Sequence, residues 1–363
     1  MSQLKAGIIG VGNISGIYLK NLTSVFSRYV DLVGCSDILT DRAPNAAKEW
    51  GLHKIYASPE QLLADDDIDI VVNLTIPNAH YEVCAAAVEA GKHVYVEKPL
   101  CIDLDEARRL LELAEKKGVR VGGAPDTFLG GGIQTCRKLI DDGWIGKPIA
   151  ATAFMVGHGH ESWHPAPEFY YKLGGGPMFD MGPYYLTALV NLIGPIQRVG
   201  GATRITFPQR TITSQPLYGT VIDVDVPTHV VGTLEFAGGA IGTIITSFDI
   251  WASNLPRIEI YGTEGSLSVP DPNTFGGPIA MRRPGDDSWH EIPFSHAYRE
   301  NSRGLGVAEM ADAIMNDRPH RASGELTGHV LEVMHGIHIA AESGSRYDLK
   351  LQGVRPEPLP RDF

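Results

Sequence analysis

The turn Gly10-Val11-Gly12-Asn13-Ile14-Ser15 constrains this chain more than any other feature, because it lies between an apolar strand pattern, Lys5 to Ile9, and an amphipathic helical one. Gly10 lets the chain turn tightly, Gly12 lets the backbone approach a pyrophosphate, and Ser15 supplies a third small residue where helix meets strand. The N-terminus of the following helix then faces the phosphates. Asp37 closes the second strand pattern about twenty residues on, where an acid hydrogen-bonds ribose hydroxyls. A carboxylate there repels a 2′-phosphate, so the motif implies NAD rather than NADP and leaves Arg42 as a solvated helix residue.

The rest of the first 125 residues repeats the same alternation. Val30 to Ser36, Ile68 to Leu74, His93 to Val96 and Arg120 to Gly123 read as strands, with helical patterns between them. Asp103 to Lys117 is the clearest helix, with Leu104, Ala107, Leu110, Leu111 and Ala114 on one face and Gly118 as its stop signal. Short strands alternating with helices imply a parallel sheet wrapped by crossovers, an α/β Rossmann domain over residues 1–125. After Pro125 come helices at Gly132 to Asp142 and Phe179 to Ile193. The strand patterns Thr228 to Phe236, Ala240 to Phe248, Arg257 to Tyr261 and Ser266 to Val269 follow, spaced by glycine-containing turns. They imply a second α+β domain, residues 126–345, on a large, open, mostly antiparallel sheet. Two late helices, Gly304 to Asp317 and Glu325 to Ser343, close it, and residues 346–363 form an arm.

Charge and composition exclude several functions. Lys and Arg total 31 against 43 Asp and Glu, a net charge of −12. Nucleic acid, which needs a basic face, is not an expected partner. The apolar start is broken by Gly10 and Gly12, and no long apolar run follows, so neither signal peptide nor membrane span is expected and the location implied is cytoplasmic. Cys35, Cys84, Cys101 and Cys136 lack CxxC spacing and imply buried thiols rather than a disulfide or zinc site.

The second chemical motif is Glu97-Lys98-Pro99, after the buried run Val94-Tyr95-Val96, at the sheet edge where ligands bind in open parallel sheets. A lysine between a carboxylate and a proline is fixed in place and partly desolvated, able to donate to or accept from a substrate oxygen.

These residues, with Thr75-Ile76-Pro77-Asn78-Ala79-His80 and Gly174-Gly175-Gly176-Pro177-Met178-Phe179-Asp180, resemble the glucose-fructose oxidoreductase, inositol dehydrogenase and MocA family (Gfo/Idh/MocA) over nearly the whole chain. The resemblance implies a catalytic Lys98 and a substrate-binding Asp180. It also implies cofactor contacts from Gly10, Gly12, Asn13, Ile14 and Asp37, and from Pro77, Asn78, His80, Glu97 and Lys98. Four residues after the aspartate many members carry a histidine, whereas this chain has Tyr184. Members resembling aldose and dihydrodiol dehydrogenases carry tyrosine there, which implies an aldose substrate. On a helix Asp180 and Tyr184 share a face at i, i+4, although Tyr184 could equally pack, as its neighbour Tyr185 suggests. The segment Ala124-Pro125-Asp126-Thr127-Phe128 departs from the family pattern and leaves Asp126 as a candidate substrate contact.

His158, His160 and His164 could bind a metal, but no carboxylate–histidine spacing accompanies them, and the loop reads better as substrate hydrogen-bonders together with Trp163. His335 and His338 read as packing residues. The chemistry expected is hydride transfer from a carbinol to the nicotinamide, with Lys98 or Tyr184 taking the hydroxyl proton and Asp180 orienting the sugar. Lys98 could instead stay charged and stabilise the alkoxide. An aldose oxidised to its lactone leads. An inositol or glycoside dehydrogenase, an NAD-using glycosidase and an NAD-sensing regulator are the alternatives.

β-branched residues on both faces of Val230 to Leu234 and Ile241 to Ile245 imply that the outer sheet face pairs in a homodimer or homotetramer. From the first motif, Asp37→Ala should relax discrimination against NADP, read as the ratio of kcat/KM for the two cofactors. A wild type that already uses both would refute the role given to Asp37.

Overall fold

The computed structural model describes residues 3–363. The chain forms two compact units, one of residues up to 129 with 300–328, the other of 130–299 with 329–363.

In the first unit the elements run β1 (Leu4–Ile9), α1 (Ser15–Thr23), β2 (Val30–Ser36), α2 (Arg42–Trp50), β3 (Lys54–Ile55), α3 (Pro59–Leu63), β4 (Ile70–Asn73), α4 (His80–Glu89), β5 (His93–Val96), α5 (Leu104–Lys117) and β6 (Val121–Gly123). All six strands are parallel, in the order β3-β2-β1-β4-β5-β6. Strand order therefore reverses between β1 and β4, which opens a crevice at their carboxyl ends. Ile8, Val71, Val72, Val94, Tyr95 and Val96 are fully buried. Helices on both faces require it, and so these strands read as continuous apolar runs rather than alternations. Each such side chain contributes roughly 1.5–3 kcal/mol. α5 begins where Asp103 accepts the N–H groups of Asp105 and Glu106 at 2.8 and 3.1 Å, and it ends at left-handed Gly118. The cap contributes about 1 kcal/mol.

The second unit contains α6 (Gly131–Asp141), β7 (Pro148–Val156), α7 (Gly176–Ile193), β8 (Ile196–Arg204), β9 (Gln209–Thr211), β10 (Val221–Asp223), β11 (His229–Phe236), β12 (Ile241–Ser247), β13 (Ile258–Gly262), β14 (Gly265–Val269), β15 (Ala280–Arg282) and β16 (His290–Glu291). Its nine-stranded sheet runs β16-β15-β14-β13-β7-β12-β11-β8-β17, where β17 is Tyr347–Asp348. Only β7 and β12 pair in parallel. Along β11, Val230, Gly232, Leu234 and Phe236 face inward, while Val231, Thr233 and Glu235 face out. The alternation marks a sheet covered on one face, here by α6 and α7. α7 starts three residues before the expected Phe179, because Pro177 presets the first turn.

The remaining helices are α8 (Leu305–Met315) and α9 (Gly324–Ser343). Residues 300–328 return to the first unit rather than continuing the second, so the units are not the consecutive segments expected from the linear pattern. The reason is long-range bonding: α8 packs beside β6 and β2, Gly123 N–H donates to the Ala322 carbonyl at 3.0 Å, and both Gly304 and Gly306 donate to Asp126. Asp126, 1% exposed, is thus the acceptor that seats the start of α8 and not a surface contact for substrate.

Burial pushes the Asp126 carboxyl up to about 6, against the two N–H bonds and nearby Arg303, which lower it. An unfolded aspartate titrates near 3.9, so between those values the native state holds the extra proton and stability attributable to this group falls as pH rises from about 4 to about 6. Asp126→Asn keeps an acceptor oxygen and removes the titration. Denaturant unfolding should show wild type losing about 1–3 kcal/mol relative to the variant across that window; parallel pH profiles would rule this out.

Candidate functional site

At the carboxyl edge of the parallel sheet, Gly10 leaves β1 with φ +94°, and a Cβ there would sit 2.8 Å from the backbone of Leu74 and Thr75. No other residue can make that turn without displacing β4. At Gly12 the opposite holds: the nearest protein atom to an added Cβ is the Arg42 guanidinium, 4.0 Å away. The space the missing side chain leaves is therefore available to a ligand, which fits a dinucleotide phosphate. Asn13 and Ile14 lie exposed beside it. Ser15 turns inward, its hydroxyl donating to the Gly12 carbonyl at 2.7 Å, and no side chain caps the first turn of α1. Those backbone N–H groups are the ordinary partners of a phosphate.

Asp37 is held at this corner by two backbone donors, Val11 N–H at 2.6 Å and Leu39 N–H at 2.8 Å. Two carboxylate oxygens accept more than two hydrogen bonds, so the group retains capacity for ribose hydroxyls. Arg42 reaches the same corner, 4.0 Å from the Asp37 carboxylate, instead of pointing to solvent alone. Pro77 and Asn78 form a short turn after β4, with Asn78 exposed.

His80 is enclosed. Its ring nitrogens face the Pro99 carbonyl at 2.6 Å and the Thr75 carbonyl at 3.1 Å, and burial lowers its pKa. It braces the two loops that flank the crevice from behind, a structural task in place of the expected cofactor contact. Glu97 is likewise buried, accepting the Tyr18 hydroxyl at 2.8 Å and the Lys98 N–H at 2.9 Å. It thereby fixes the backbone from which half-exposed Lys98 extends, and the Lys98–Pro99 peptide that follows is cis.

In the second unit Asp180 and Tyr184 occupy consecutive turns of α7. Tyr184 is 7% exposed. The residue brought to Asp180 is His160, whose Nε2 lies 3.6 Å from Asp180 Oδ2. Trp163, largely exposed, and His164 adjoin the same ring cluster: Trp163 lies 5.2 Å from His160, and His164 lies 5.5 Å from Trp163 and 5.3 Å from Tyr170. His158 takes a different set of partners, stacking on Trp251 at 3.3 Å, with Phe207 edge-on at 6.3 Å. His335 and His338 pack near Phe179, at 4.9 and 5.3 Å. Among the described residues no three His, Cys, Asp or Glu side chains are grouped to hold a metal ion.

The histidine loop is fixed by a buried cation. Arg210 binds Glu161 at 2.8 Å, Asp249, and the Phe248 carbonyl at 2.8 Å, while Tyr171 donates to Glu161 at 2.5 Å. Burial and Glu161 both push the Tyr171 pKa upward, so the phenol keeps its proton. Gly159, at φ +82°, makes room for this cluster: a Cβ would overlap Glu161 and the Tyr171 hydroxyl. Arg210 is the residue that sequence reasoning passed over, and His160 is the member of the histidine cluster that the structure brings to Asp180. The three closely spaced histidines were a signal for His160; nothing local pairs Arg210 with acids 49 and 39 residues away.

A parallel sheet with this glycine turn and acid, followed by a helix-backed open sheet, defines a two-domain, NAD-binding oxidoreductase. Residues 4–123 match the oxidoreductase family with an NAD-binding Rossmann fold, and residues 133–268 match the GFO/IDH/MocA C-terminal domain. The chain belongs to the GFO/IDH/MocA family. It is 30% identical to scyllo-inositol 2-dehydrogenase (NAD(+)) of Bacillus subtilis over 74% of each chain. It is 26% identical to myo-inositol 2-dehydrogenase of Thermotoga maritima over 73% of this chain and 74% of that protein. Among solved structures, a levoglucosan dehydrogenase in complex with NADH and L-sorbose superposes with a TM-score of 0.82, at 19% identity, over 96% of this chain and 99% of that one. The protein is an NAD-dependent oxidoreductase of the sugar and polyol dehydrogenase type, acting on a CH–OH donor. Among the described residues no helix is long and apolar enough to cross a membrane.

Proposed function

We propose that this protein oxidises a ring hydroxyl of a small cyclic polyol or sugar, with Lys98, Asp180 and Tyr184 as its catalytic residues. The observation that carries the reading is Lys98 itself, extending from the end of β5, at the carboxyl edge of the parallel sheet and with its backbone N–H held by Glu97, in a chain of this family. Gly10, Gly12, Asn13, Ile14 and Asp37 would hold the dinucleotide, with Pro77 and Asn78 on the other wall of the crevice. When bound, NAD supplies the hydride acceptor. Lys98 either takes the hydroxyl proton or, remaining charged, stabilises the developing alkoxide; Tyr184 is the other proton acceptor; Asp180 holds the hydroxyl in place.

Two substrate readings stand side by side. Tyr184 supports an aldose oxidised at its anomeric carbon to a lactone, whereas the relatives named as inositol 2-dehydrogenases support a cyclic polyol with no anomeric carbon. Myo-inositol, scyllo-inositol, D-xylose and D-glucose, each supplied with NAD, separate them by net NADH formation. Sugar release from a glycoside without NADH accumulation would instead indicate the glycosidase alternative, and no turnover of any of them the sensor.

Lys98→Ala should leave NAD binding nearly intact, since the phosphate contacts lie at Gly10 to Ser15, yet lower kcat by roughly a hundredfold or more. Asp180→Ala should raise KM and lower kcat together. Tyr184→Phe decides the proton acceptor: a large kcat loss at normal KM names the phenol, and near-normal turnover leaves the proton to Lys98. Full activity in all three variants would displace the site.

The outer face of the nine-stranded sheet shows Phe154, Val231 and Ile245, together with Ile241, which is 61% exposed. We propose that this face assembles the protein as a symmetric dimer or tetramer. Sedimentation velocity at micromolar concentration should show the oligomer, and a monomer there would contradict it.

A further inference from the structure

His160 is held in one orientation. Its ring stacks on Tyr170 with centroids 3.7 Å apart and planes 9° from parallel, and the edge of Phe248 meets it at 4.7 Å and 85°. Its backbone N–H donates to the Tyr171 hydroxyl at 3.3 Å, which ties it to the Arg210 cluster. The result is an imidazole whose Nε2 lies 3.6 Å from Asp180 Oδ2, with the two side chains 12% and 15% exposed.

That separation is too long for a direct hydrogen bond, but one oxygen atom can lie at ~2.8 Å from both ends of it. The carboxylate favours a proton on the nitrogen facing it, so the pair offers one N–H donor and one carboxylate acceptor. A hydroxyl accepts and donates through the same atom; a carbonyl or ether oxygen only accepts, and an ammonium only donates. We propose that His160 and Asp180 form a donor–acceptor clamp that reads one hydroxyl of the substrate, making His160 a specificity-determining residue on the polyol-dehydrogenase reading above. The neighbouring Trp163, 5.2 Å from His160 and 62% exposed, offers an apolar face to the carbon ring that carries that hydroxyl.

Two measurements test the clamp. The first needs no turnover: the NMR titration of the His160 ring in the full-length protein, compared with Asp180→Asn. The groups around the ring are Asp180, the phenols of Tyr170 and Tyr171, His164 across Tyr170, and the Glu161–Arg210–Asp249 cluster, and of these only Asp180 changes. Losing the carboxylate should move the titration midpoint down by roughly half a unit or more; an unmoved midpoint overturns the proposal. The second uses myo-inositol and D-xylose as probes. His160→Ala should raise KM by roughly tenfold to a hundredfold, the scale of one hydrogen bond to a charged group, with NADH affinity unchanged. His160→Gln, which places an amide N–H at similar reach, should recover most of the loss, as a merely structural ring would not allow. Wild-type KM in His160→Ala, or no recovery with Gln, overturns the clamp. If the wild type turns over neither probe, the polyol reading fails on that result, and the ring titration alone still decides whether His160 and Asp180 act as a pair.

Discussion

The close passage of the Gly10 backbone against Leu74 and Thr75 is the constraint on which the first unit depends. Because β1 and β4 are adjacent parallel strands, with crossovers leaving in opposite directions, the crevice between their ends is the one place where a ligand meets backbone from both. An added Cβ at 2.8 Å would push those ends apart and widen the crevice. His80 lies enclosed between the Thr75 and Pro99 carbonyls, a neutral ring donating to one of them, so the turn after β4 and the lysine-bearing loop after β5 pack against the same side chain. The glycine turn, Asp37 and Lys98 thus owe their positions to backbone packing and backbone hydrogen bonds.

In the second unit the ordering force is electrostatic. Arg210, 3% exposed, is bound by two carboxylates that are themselves nearly buried, at 10% and 6%. The net stabilisation from such a cluster is small, because desolvating three charges costs about as much as their attraction returns. Its value is geometric, since removing the cation would strand two buried carboxylates at a cost of about 3–5 kcal/mol. Alternatives in which the loop detaches from the β9–β10 hairpin are excluded on that ground. The histidine loop has no regular secondary structure between β7 and the turn at Glu168–Tyr171, yet Glu161 anchors it twice more through the N–H groups of Thr213 and Ser214. A loop so fixed can present side chains with the precision of a helix.

What the sequence made legible follows the range of the forces involved. α5 was readable end to end because Asp103 and Gly118 are local signals acting within one turn of chain. The strand–turn–helix at Gly10 was readable for the same reason, and the outer face of β11 followed from its alternation. By contrast, the return of residues 300–328 to the first unit depends on Asp126 accepting hydrogen bonds from Gly304 and Gly306, which neither periodicity nor spacing registers. His80, a cofactor contact implied by the resemblance, and Asp126, a candidate substrate contact, are both buried on backbone partners, which neither motif nor resemblance registers. His160 was visible as one of three histidines. Which of the three meets Asp180 depends on ring stacking with Tyr170, a contact between two irregular segments.

The charge balance supplies a further step. A chain with a net charge of −12 would be expected to repel a dinucleotide that carries two phosphates. Long-range repulsion is screened beyond about 8 Å at physiological ionic strength, so the decisive field is that of the nearest groups. Around the glycine turn those are the uncapped N–H groups that open α1, which carry partial positive charge without any acid in the first turn. At the same corner the Asp37 carboxylate accepts from Val11 and Leu39 and lies 4.0 Å from the Arg42 guanidinium. The first turn of α1 thus presents oriented backbone dipoles with no side-chain cap across them. A helix start of that kind tolerates an acidic surface elsewhere on the chain, because the field met there is set by the nearest N–H groups.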